Sequence, residues 1–410
     1  MLNFMLEALF NTSTTRSRAA ILLVLARAGQ SKYFIVHDEA LPSVASLVAQ
    51  TTRSRYPDLK IPYHSRWRHF EAGGIHRRAW LDEITPGASK HAVTLIDLVV
   101  VSVLLDAGAG ADWHYKEERT GRVHARSEGL GVASFHAFCT GLFSSDPTQP
   151  LRVDAVGLQR LTAAQLAQAF QVTQRNPLVG LEGRVNLLRR LGQALAEQPE
   201  VFAEPARVGN LYTFMALAGK EPAQPTTNSI AAHDILALLL KTLSRIWPSG
   251  SVFAGQAIGD CWPHSALGQS SSTDGWIPFH KLSQWLTYSL LEPFEWSGVK
   301  VTGLDRLTGL PEYRNGGLVL DGGVLSLKNP EAAKVAHHAS EEFIVEWRAL
   351  TVALLDELAP LVRLQLGLTE TQMPLACVLE GGTWAAGRVL AQQLRGGTPP
   401  LPINSDGTIF

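Results

Sequence analysis

The segment of residues 93–107 constrains the fold more than any other part of the chain, because it is apolar on nearly all sides. A helix with this pattern must be surrounded by other elements, so the segment predicts a central buried helix. Its apolar run, residues 95–105, is interrupted by Asp97 and Ser102 and is too short to span a bilayer. The rest of the chain is therefore expected to pack around this helix.

Most of the remaining chain has apolar residues at helical spacing, and convincing strands are few. Helices are predicted over residues 15–29, 41–55, 127–144, 181–198, 228–247, 279–290 and 340–366, and a capping box at Thr162 and Gln165 predicts another. Period-two alternation is confined to residues 300–303 and 318–320. We expect a mainly α, helical globular protein with a few short strands, in which residues 1–410 form one unit with a soft subdivision near residues 148–153 or 221–227.

Composition narrows the classes of function. The 410 residues are 46% hydrophobic and 18% charged, with a net charge of −1. Nucleic-acid binding by phosphate neutralisation needs a strong basic excess, so this class is not expected. Three distant cysteines, Cys139, Cys261 and Cys377, offer no disulfide framework and fit a reducing compartment. Without a convincing secretory signal or membrane span, we expect a cytoplasmic protein with no membrane partner.

The stretch of residues 274–323 joins an amphipathic helix to a glycine-rich turn. One face of the helix carries Phe279 and three leucines at helical spacing, as a core face does. Four residues gather on the opposite side, and their mixture of aromatic and polar character suits the wall of a polar pocket: Lys281, Gln284, Trp285 and Tyr288.

The turn after this helix places four hydrogen-bonding side chains between Pro311 and a pair of glycines: Glu312, Tyr313, Arg314 and Asn315. One interpretation is a loop with an ion pair between Glu312 and Arg314. The other is a carboxylate presented to a substrate beside an anion-binding arginine and open backbone N–H groups. The residues alone leave both open.

Two further clusters have two interpretations each. The basic segment of residues 64–70, with His64, Arg66 and Arg68, predicts either an anion site or a surface loop whose arginines cover an exposed tryptophan. Residues 112–121 follow the central helix and the glycines that end it. Their candidate site residues are Asp112, His114 and Tyr115. They form either part of a site or a solvated charged turn.

The segment before residue 274 carries Asp260, Cys261 and His264. A zinc site of Cys261, His264 and His280 is a weak prediction, because no second Cys/His pair follows. We favour a pair between Asp260 and His264 that orients the imidazole, for structure or for proton transfer. The motifs G-x-G-x-x-G after a strand, G-x-x-x-x-G-K-S/T, H-E-x-x-H and G-x-S-x-G do not occur, so the chemistries they carry are not expected.

Several of these segments together resemble the uracil-catabolism family of fungi and bacteria. The resemblance rests on residues 56–62, 64–74, 112–121, 279–289, 309–317, 379–384 and 405–408, and so covers nearly the whole chain. It implies a role in the breakdown of uracil by a route that is independent of the reductive pathway. In that route uracil is converted to its nucleotide, the ring is opened, a ribosylurea species forms and urea is released.

A fainter resemblance is to the queuosine-salvage nucleotide N-glycosylase family, and it implies a DNA-glycosylase-like helical core. That family has a Phe-x-Lys-x-x-Gln helix followed about thirty residues later by Asp-Tyr-Arg. Phe279, Lys281 and Gln284 match the first motif, and Tyr313 and Arg314 match the second. Glu312 stands where that family has its catalytic Asp, which keeps the carboxylate but extends its reach by one methylene.

These resemblances lead to the hypothesis of an N-ribosyl hydrolase that converts a phosphorylated ribosyl substrate, ribosylurea 5-phosphate, to urea and ribose 5-phosphate without an organic cofactor or redox metal. Glu312 would stabilise the oxocarbenium-like state and orient water. His264, held by Asp260, or Tyr288 would protonate the leaving nitrogen, and four cations would bind the phosphate: Lys281, Arg314, Arg66 and Arg68. The alternatives are an amidohydrolase attacking the ureido carbonyl and a non-catalytic binding partner. The oligomeric state is not predicted.

Overall fold

The computed structural model describes residues 2–87, 91–106, 108–217, 229–248, 250–269 and 272–404, with the backbone alone for residues 2–5 and 217. Helices dominate these residues, and strands occur in them only as short pairs. The prediction of a mainly α protein is therefore confirmed. The DNA-glycosylase-like core and the single-unit organisation stay predictions, and residues 221–227 and 405–408 lie outside the described part.

The helices follow one another along most of the chain. They are α1 (Leu2–Leu9), α2 (Thr12–Arg27), α3 (Leu41–Arg55), α4 (Trp67–Phe70), α5 (Trp80–Ile84), α6 (Ala92–Leu104), α7 (Arg126–Cys139), α8 (Ala155–Arg160), α9 (Ala163–Ala169), α10 (Leu181–Ala196), α11 (Pro199–Phe202), α12 (Asn210–Tyr212), α13 (Ala232–Leu243), α14 (Lys281–Trp296), α15 (Tyr313–Asp321), α16 (Glu342–Leu366), α17 (Leu375–Val378) and α18 (Trp384–Arg395). None of the described helices is long and apolar enough to cross a membrane.

The strands form six two-stranded pairs among the described residues. The antiparallel pairs are β1 (Phe34–Val36) with β10 (Leu325–Leu327), β2 (His114–Lys116) with β3 (Val123–Ala125), β5 (Ser251–Phe253) with β6 (Gln256–Gly259) and β7 (Cys261–Pro263) with β8 (Trp276–Pro278). The parallel pairs are β4 (Ser229–Ala231) with β9 (Lys300–Thr302) and β11 (His337–His338) with β12 (Ile403–Asn404).

The central helix α6 is buried along nearly its whole length, as its all-round apolar pattern predicts. It lies within one connected apolar cluster whose members extend from Ala19 to Leu401. The predicted capping box is present, since Thr162 and Gln165 satisfy each other's backbone N–H groups. The predicted strand of residues 318–320 is wrong, because these residues belong to α15, where Leu318 and Val319 are buried.

Helices α15 and α18 approach each other closely at Gly387. An added Cβ there would overlap the Arg314 carbonyl oxygen, a backbone atom that cannot move aside. Gly387→Ala is therefore expected to lower the free energy of unfolding by about 1–3 kcal/mol. The matched control is Gly183→Ala on α10, where an added Cβ meets no atom within 4 Å.

Gly183→Ala is expected to raise the free energy of unfolding by about 0.5–1 kcal/mol, because alanine loses less backbone entropy in a helix. Denaturant unfolding followed by circular dichroism measures both variants. Equal stability of the two would contradict the close approach of α15 and α18.

Candidate active site

Helix α14 organises the candidate site by holding the segment that leads to Glu312. The Gln284 amide donates to the Thr308 hydroxyl over 2.6 Å, and its oxygen accepts the Thr308 backbone N–H over 2.8 Å. The Tyr288 hydroxyl donates to the Thr308 carbonyl over 2.8 Å. The sequence predicts Gln284 and Tyr288 in a pocket wall, but their hydrogen bonds give them a positioning role, whereas Lys281 remains partly exposed.

Pro293 lies inside α14 and shapes the other side of the site. A proline has no backbone N–H, so the carbonyl of Ser289, four residues earlier, has no helical donor. The Trp67 indole donates to this carbonyl over 2.9 Å, and the Ser289 hydroxyl accepts the Arg66 backbone N–H over 2.9 Å. These bonds dock the basic segment of residues 64–70 onto α14.

Arg66 is fully buried, so the interpretation of its segment as a surface loop is wrong. Its guanidinium donates to the Ser102 hydroxyl and to the Asp106 carboxylate, both over 2.7 Å, at the C-terminal end of α6. It also lies 5.8 Å from the ring centroid of Trp285 on α14. A buried arginine keeps its charge and needs a counter-charge, which Asp106 supplies.

Glu312 is the N-cap of α15. Its carboxylate accepts the backbone N–H groups of Arg314 over 2.8 Å and Asn315 over 2.6 Å. It therefore satisfies two of the free N–H groups of the first turn, at the positive end of the helix dipole. The interpretation as a side-chain ion pair is wrong, because the Arg314 guanidinium donates to the Gly397 carbonyl and lies 4.9 Å from the Tyr313 ring centroid.

Burial and positively charged neighbours change the pKa of Glu312 in opposite directions. Burial raises the pKa of Glu312 above its usual value, while Lys281, the two backbone N–H groups and His64 act in the opposite direction. Burial also lowers the pKa of the Lys281 ammonium, and Glu312 partly offsets that effect. Each group therefore stabilises the charge of the other.

The C-terminal region completes the site with a π-helical turn, Leu379–Thr383, followed by α18. Glu380 in this turn is buried and lies 2.8 Å from Nδ1 of His64. The His64 ring also lies 6.5 Å from the Trp384 ring, between centroids. On the next turn, Arg388 pairs with Glu128 of α7 over 3.3 Å. α7, α18 and the His64 segment thus meet at one place.

Most of the buried polar side-chain atoms without a hydrogen-bond partner, within the described residues, lie in four segments: residues 64–70, α14, the first turn of α15 and the turn Leu379–Thr383. These segments and the side chains that pair with them form the cluster around Glu312. The atoms are Arg66 Nη2, Arg68 Nε, His69 Nδ1, Trp285 Nε1, Arg314 Nε, Asn315 Oδ1 and Thr383 Oγ1. Protein interiors rarely leave such atoms unpaired, so their concentration indicates a place where a polar ligand or ordered water binds. Burial and the neighbouring Arg66 lower the pKa of His69 to about 4, so its imidazole is neutral at pH 7.

Asp260 does not pair with His264, and this prediction is wrong. The Asp260 carboxylate is buried and accepts two hydrogen bonds of 2.7 and 2.6 Å from the Arg348 guanidinium on α16. It also accepts the Lys281 backbone N–H over 3.0 Å and so fixes the start of α14. His264 Nε2 instead lies 3.1 Å from the Glu346 carboxylate. Both side chains are therefore engaged in buried contacts within the protein.

The weakly predicted zinc site of Cys261, His264 and His280 does not form either. Cys261 Sγ lies 3.4 Å from His280 Nε2, but that nitrogen is 2.7 Å from the Leu9 carbonyl oxygen. His264 is engaged with Glu346, as described above. In the part of the chain that the structure describes, no group of three or more His, Cys, Asp or Glu side chains could hold a metal ion.

The polar cluster after α6 forms the β2–β3 hairpin. Asp112 and His114 are exposed, and the His114 ring bonds to the Asp112 carbonyl over 2.8 Å. Tyr115 is buried and stacks on His136 of α7 at 6.1 Å between ring centroids. These contacts agree with the solvated-turn interpretation for Asp112 and His114, and they do not involve Glu312.

Sequence reasoning missed several residues of the cluster: Asp106, Glu128, Glu380, Thr383, Trp384 and Arg388. A signal existed for the last four, because residues 379–388 form a glycine-rich segment that overlaps the family resemblance. For Asp106 the signal was a carboxylate directly after a helix that must be buried. Residues 112–121 contain more polar side chains, so the candidate residues were placed there instead.

A separate surface depression of about 630 Å³ is lined by residues 58–62 together with Leu368 and Gln372. It shares no lining residue with the cluster around Glu312. Its lining holds the exposed pair Asp58–Lys60, 4.0 Å apart, and none of the buried polar atoms without a partner described above, so we place the candidate site at Glu312.

Comparisons with known proteins agree over nearly the full length of the chain. The family model described as "Protein of unknown function (DUF1688)" matches residues 8–410. "Protein urg3" of Schizosaccharomyces pombe is 40% identical over an alignment of 417 residues that covers 98% of each chain. "Uracil catabolism protein 4" of Lachancea kluyveri is 37% identical over an alignment of 415 residues that covers 93% of each chain.

Proposed function

Because this chain belongs to the DUF1688 family, we propose that it acts in uracil catabolism, as the name of one relative states, and that it does so as an N-ribosyl hydrolase. The membership confirms the family resemblance found in the sequence. The proposed substrate is ribosylurea 5-phosphate or a close relative, and the products are urea and ribose 5-phosphate.

The bond to be broken joins the anomeric carbon to a urea nitrogen. As it breaks, positive charge develops on the carbon and negative charge on the nitrogen. The Glu312 carboxylate stabilises the positive charge, and it orients and deprotonates the attacking water. One observation carries this assignment: Glu312 is a buried carboxylate, held by two backbone N–H groups and facing Lys281, among buried polar atoms that have no partner in the described protein.

Three cations of the cluster supply positive charge for the substrate phosphate. They are Lys281, Arg314 and Arg66, and each of the two arginines keeps one buried guanidinium nitrogen without a partner among the described residues. Arginine matches phosphate oxygens well because its planar fork donates several N–H groups. Arg68 is the fourth candidate: it pairs with Glu292 over 2.8 Å, as Arg66 pairs with Asp106, and its buried Nε has no partner among the described residues.

The test is to incubate the purified protein with ribosylurea 5-phosphate, with and without a chelator, and to follow the products by mass spectrometry. We expect release of urea and ribose 5-phosphate at equal rates in both conditions. Glu331→Gln, which changes an exposed glutamate, serves as the control and should match the wild type. Ammonia or carbamate as the first product would favour an amidohydrolase instead. Saturable binding without turnover would favour a non-catalytic binding partner.

A further inference from the structure

The leaving urea nitrogen needs a proton, and the two donors predicted from the sequence are engaged elsewhere. His264 pairs with Glu346, and the Tyr288 hydroxyl donates to the Thr308 carbonyl. Burial raises the pKa of Tyr288 still further above its usual value, which makes its proton harder to transfer. The acid must therefore come from another residue of the cluster.

His64 has the geometry of such an acid. Its Nδ1 lies 2.8 Å from Oε2 of Glu380, and its backbone N–H donates to the Ala376 carbonyl over 3.0 Å. A bond from Nδ1–H to a carboxylate fixes the orientation of the ring and leaves Nε2 on its far side. The side chain is 13% exposed, and Nε2 has no hydrogen-bond partner among the described residues, which leaves this nitrogen available to a substrate.

Glu380 is held more firmly than a single bond to His64 would require. Its second oxygen accepts the Tyr56 hydroxyl and the Arg55 guanidinium, each over 2.8 Å. Burial opposes its ionisation, but His64, Arg55 and Tyr56 outweigh this effect and lower the pKa of Glu380 to about 2. An ionised carboxylate in a fixed position therefore faces the His64 ring at pH 7.

His64 also lies within electrostatic range of the proposed catalytic carboxylate. It is one of the groups that lower the pKa of Glu312 and so stabilise its charge, and it also lowers the pKa of His69. The ring therefore has Glu380 on its Nδ1 side and Glu312 within electrostatic range. A bond cleaved next to Glu312 has a proton source close by.

We propose that His64 is the general acid that protonates the leaving urea nitrogen and that Glu380 is the residue that positions it. This rests on the N-ribosyl hydrolase function proposed above. The C–N bond breaks, its electron pair goes to the urea nitrogen, and the proton on Nε2 moves to that nitrogen. Water adds to the anomeric carbon and gives a proton to Glu312. Proton exchange with solvent then returns both residues to their starting states.

Leaving-group dependence tests the proposal. With ribosylurea 5-phosphate, His64→Ala is expected to lower kcat by about 10²- to 10⁴-fold. With 4-nitrophenyl riboside 5-phosphate, the same variant should stay within about tenfold of the wild type, because the nitrophenolate departs without a proton. Added imidazole should restore part of the lost activity, and His338→Ala, at an exposed histidine, is the matched control.

Glu380→Gln tests the positioning role. It should lower kcat for ribosylurea 5-phosphate with little change in KM, and it should spare the nitrophenyl substrate. Glu312→Gln, in contrast, should lose activity on both substrates, since both pass through the same positive charge.

Equal losses on both substrates for His64→Ala, or no loss on either, would overturn the acid role. If the proposed N-ribosyl hydrolase function is wrong, the wild type itself releases neither urea nor nitrophenol. The inference about His64 is then overturned together with that function. Circular dichroism and thermal unfolding of each variant separate loss of fold from loss of chemistry.

Discussion

Glu312→Gln is expected to lower kcat for urea release by about 10²- to 10³-fold, with KM changed less than about threefold. The neutral amide cannot stabilise the positive charge at the anomeric carbon, and it cannot accept the proton of the attacking water. Steady-state kinetics with ribosylurea 5-phosphate, followed by mass spectrometry, measures both constants. The control is again Glu331→Gln, an exposed substitution of the same kind.

The fold should survive this substitution. The glutamine oxygen retains one of the two backbone N–H bonds at the start of α15. Burial raises the pKa of Glu312, so the protonated form favours the fold at low pH and that stability is lost as the pH rises through the unfolded and then the folded pKa. Removing the charge therefore offsets the lost hydrogen bond at pH 7. A folded Glu312→Gln variant with normal kcat would refute the assignment.

Asp260→Ala is expected to lower the free energy of unfolding by about 3–5 kcal/mol, because it leaves a buried guanidinium without its counter-charge. The Arg348 side chain is 1% exposed and makes both of its carboxylate bonds to Asp260. The substitution also removes the acceptor for the Lys281 backbone N–H at the start of α14. Denaturant unfolding at pH 7 measures the loss.

The stabilising effect of Asp260 should depend on pH. Burial opposes its ionisation, yet Arg348 and the hydrogen bonds from Lys281 and Trp262 outweigh burial and lower its pKa. A lowered pKa in the fold gives stability that is present above the unfolded value of about 3.9 and lost as the pH falls through the folded value. The difference between wild type and Asp260→Ala should therefore shrink in acid.

A double substitution separates charge from packing at this pair. Asp260→Leu combined with Arg348→Met replaces both charges by apolar groups and should recover much of the stability that Asp260→Ala loses. If the double variant loses as much stability as Asp260→Ala, the ion pair is not what holds α14 to α16.

Local patterns were enough to predict most of the fold. Residues 41–55 form a helix with the predicted bounds, and the central and long C-terminal helices lie where apolar periodicity places them. Periodicity succeeds because neighbouring turns of a helix bury one face together. It failed at residues 318–320, where a run of three apolar residues is too short to distinguish a strand from part of a short helix.

The candidate site was only partly predictable. Glu312, Tyr313, Arg314 and Asn315 are consecutive, so their common location follows from the sequence. Their hydrogen bonds do not, because Glu312 acts as a cap only once α15 begins at Tyr313. The proposed Asp260–His264 pair shows the opposite error, since proximity in sequence suggested a contact that the folded chain does not make.

The sequence by itself determined that this protein is mainly α, which family it belongs to, and which short motifs carry its carboxylates and cations. Only the tertiary structure decided which charges face one another. His64 meets Glu380 across 316 residues of chain, and Asp260 meets Arg348 across 88. A buried charge is stable only beside a partner, and which partner is available depends on how the helices pack.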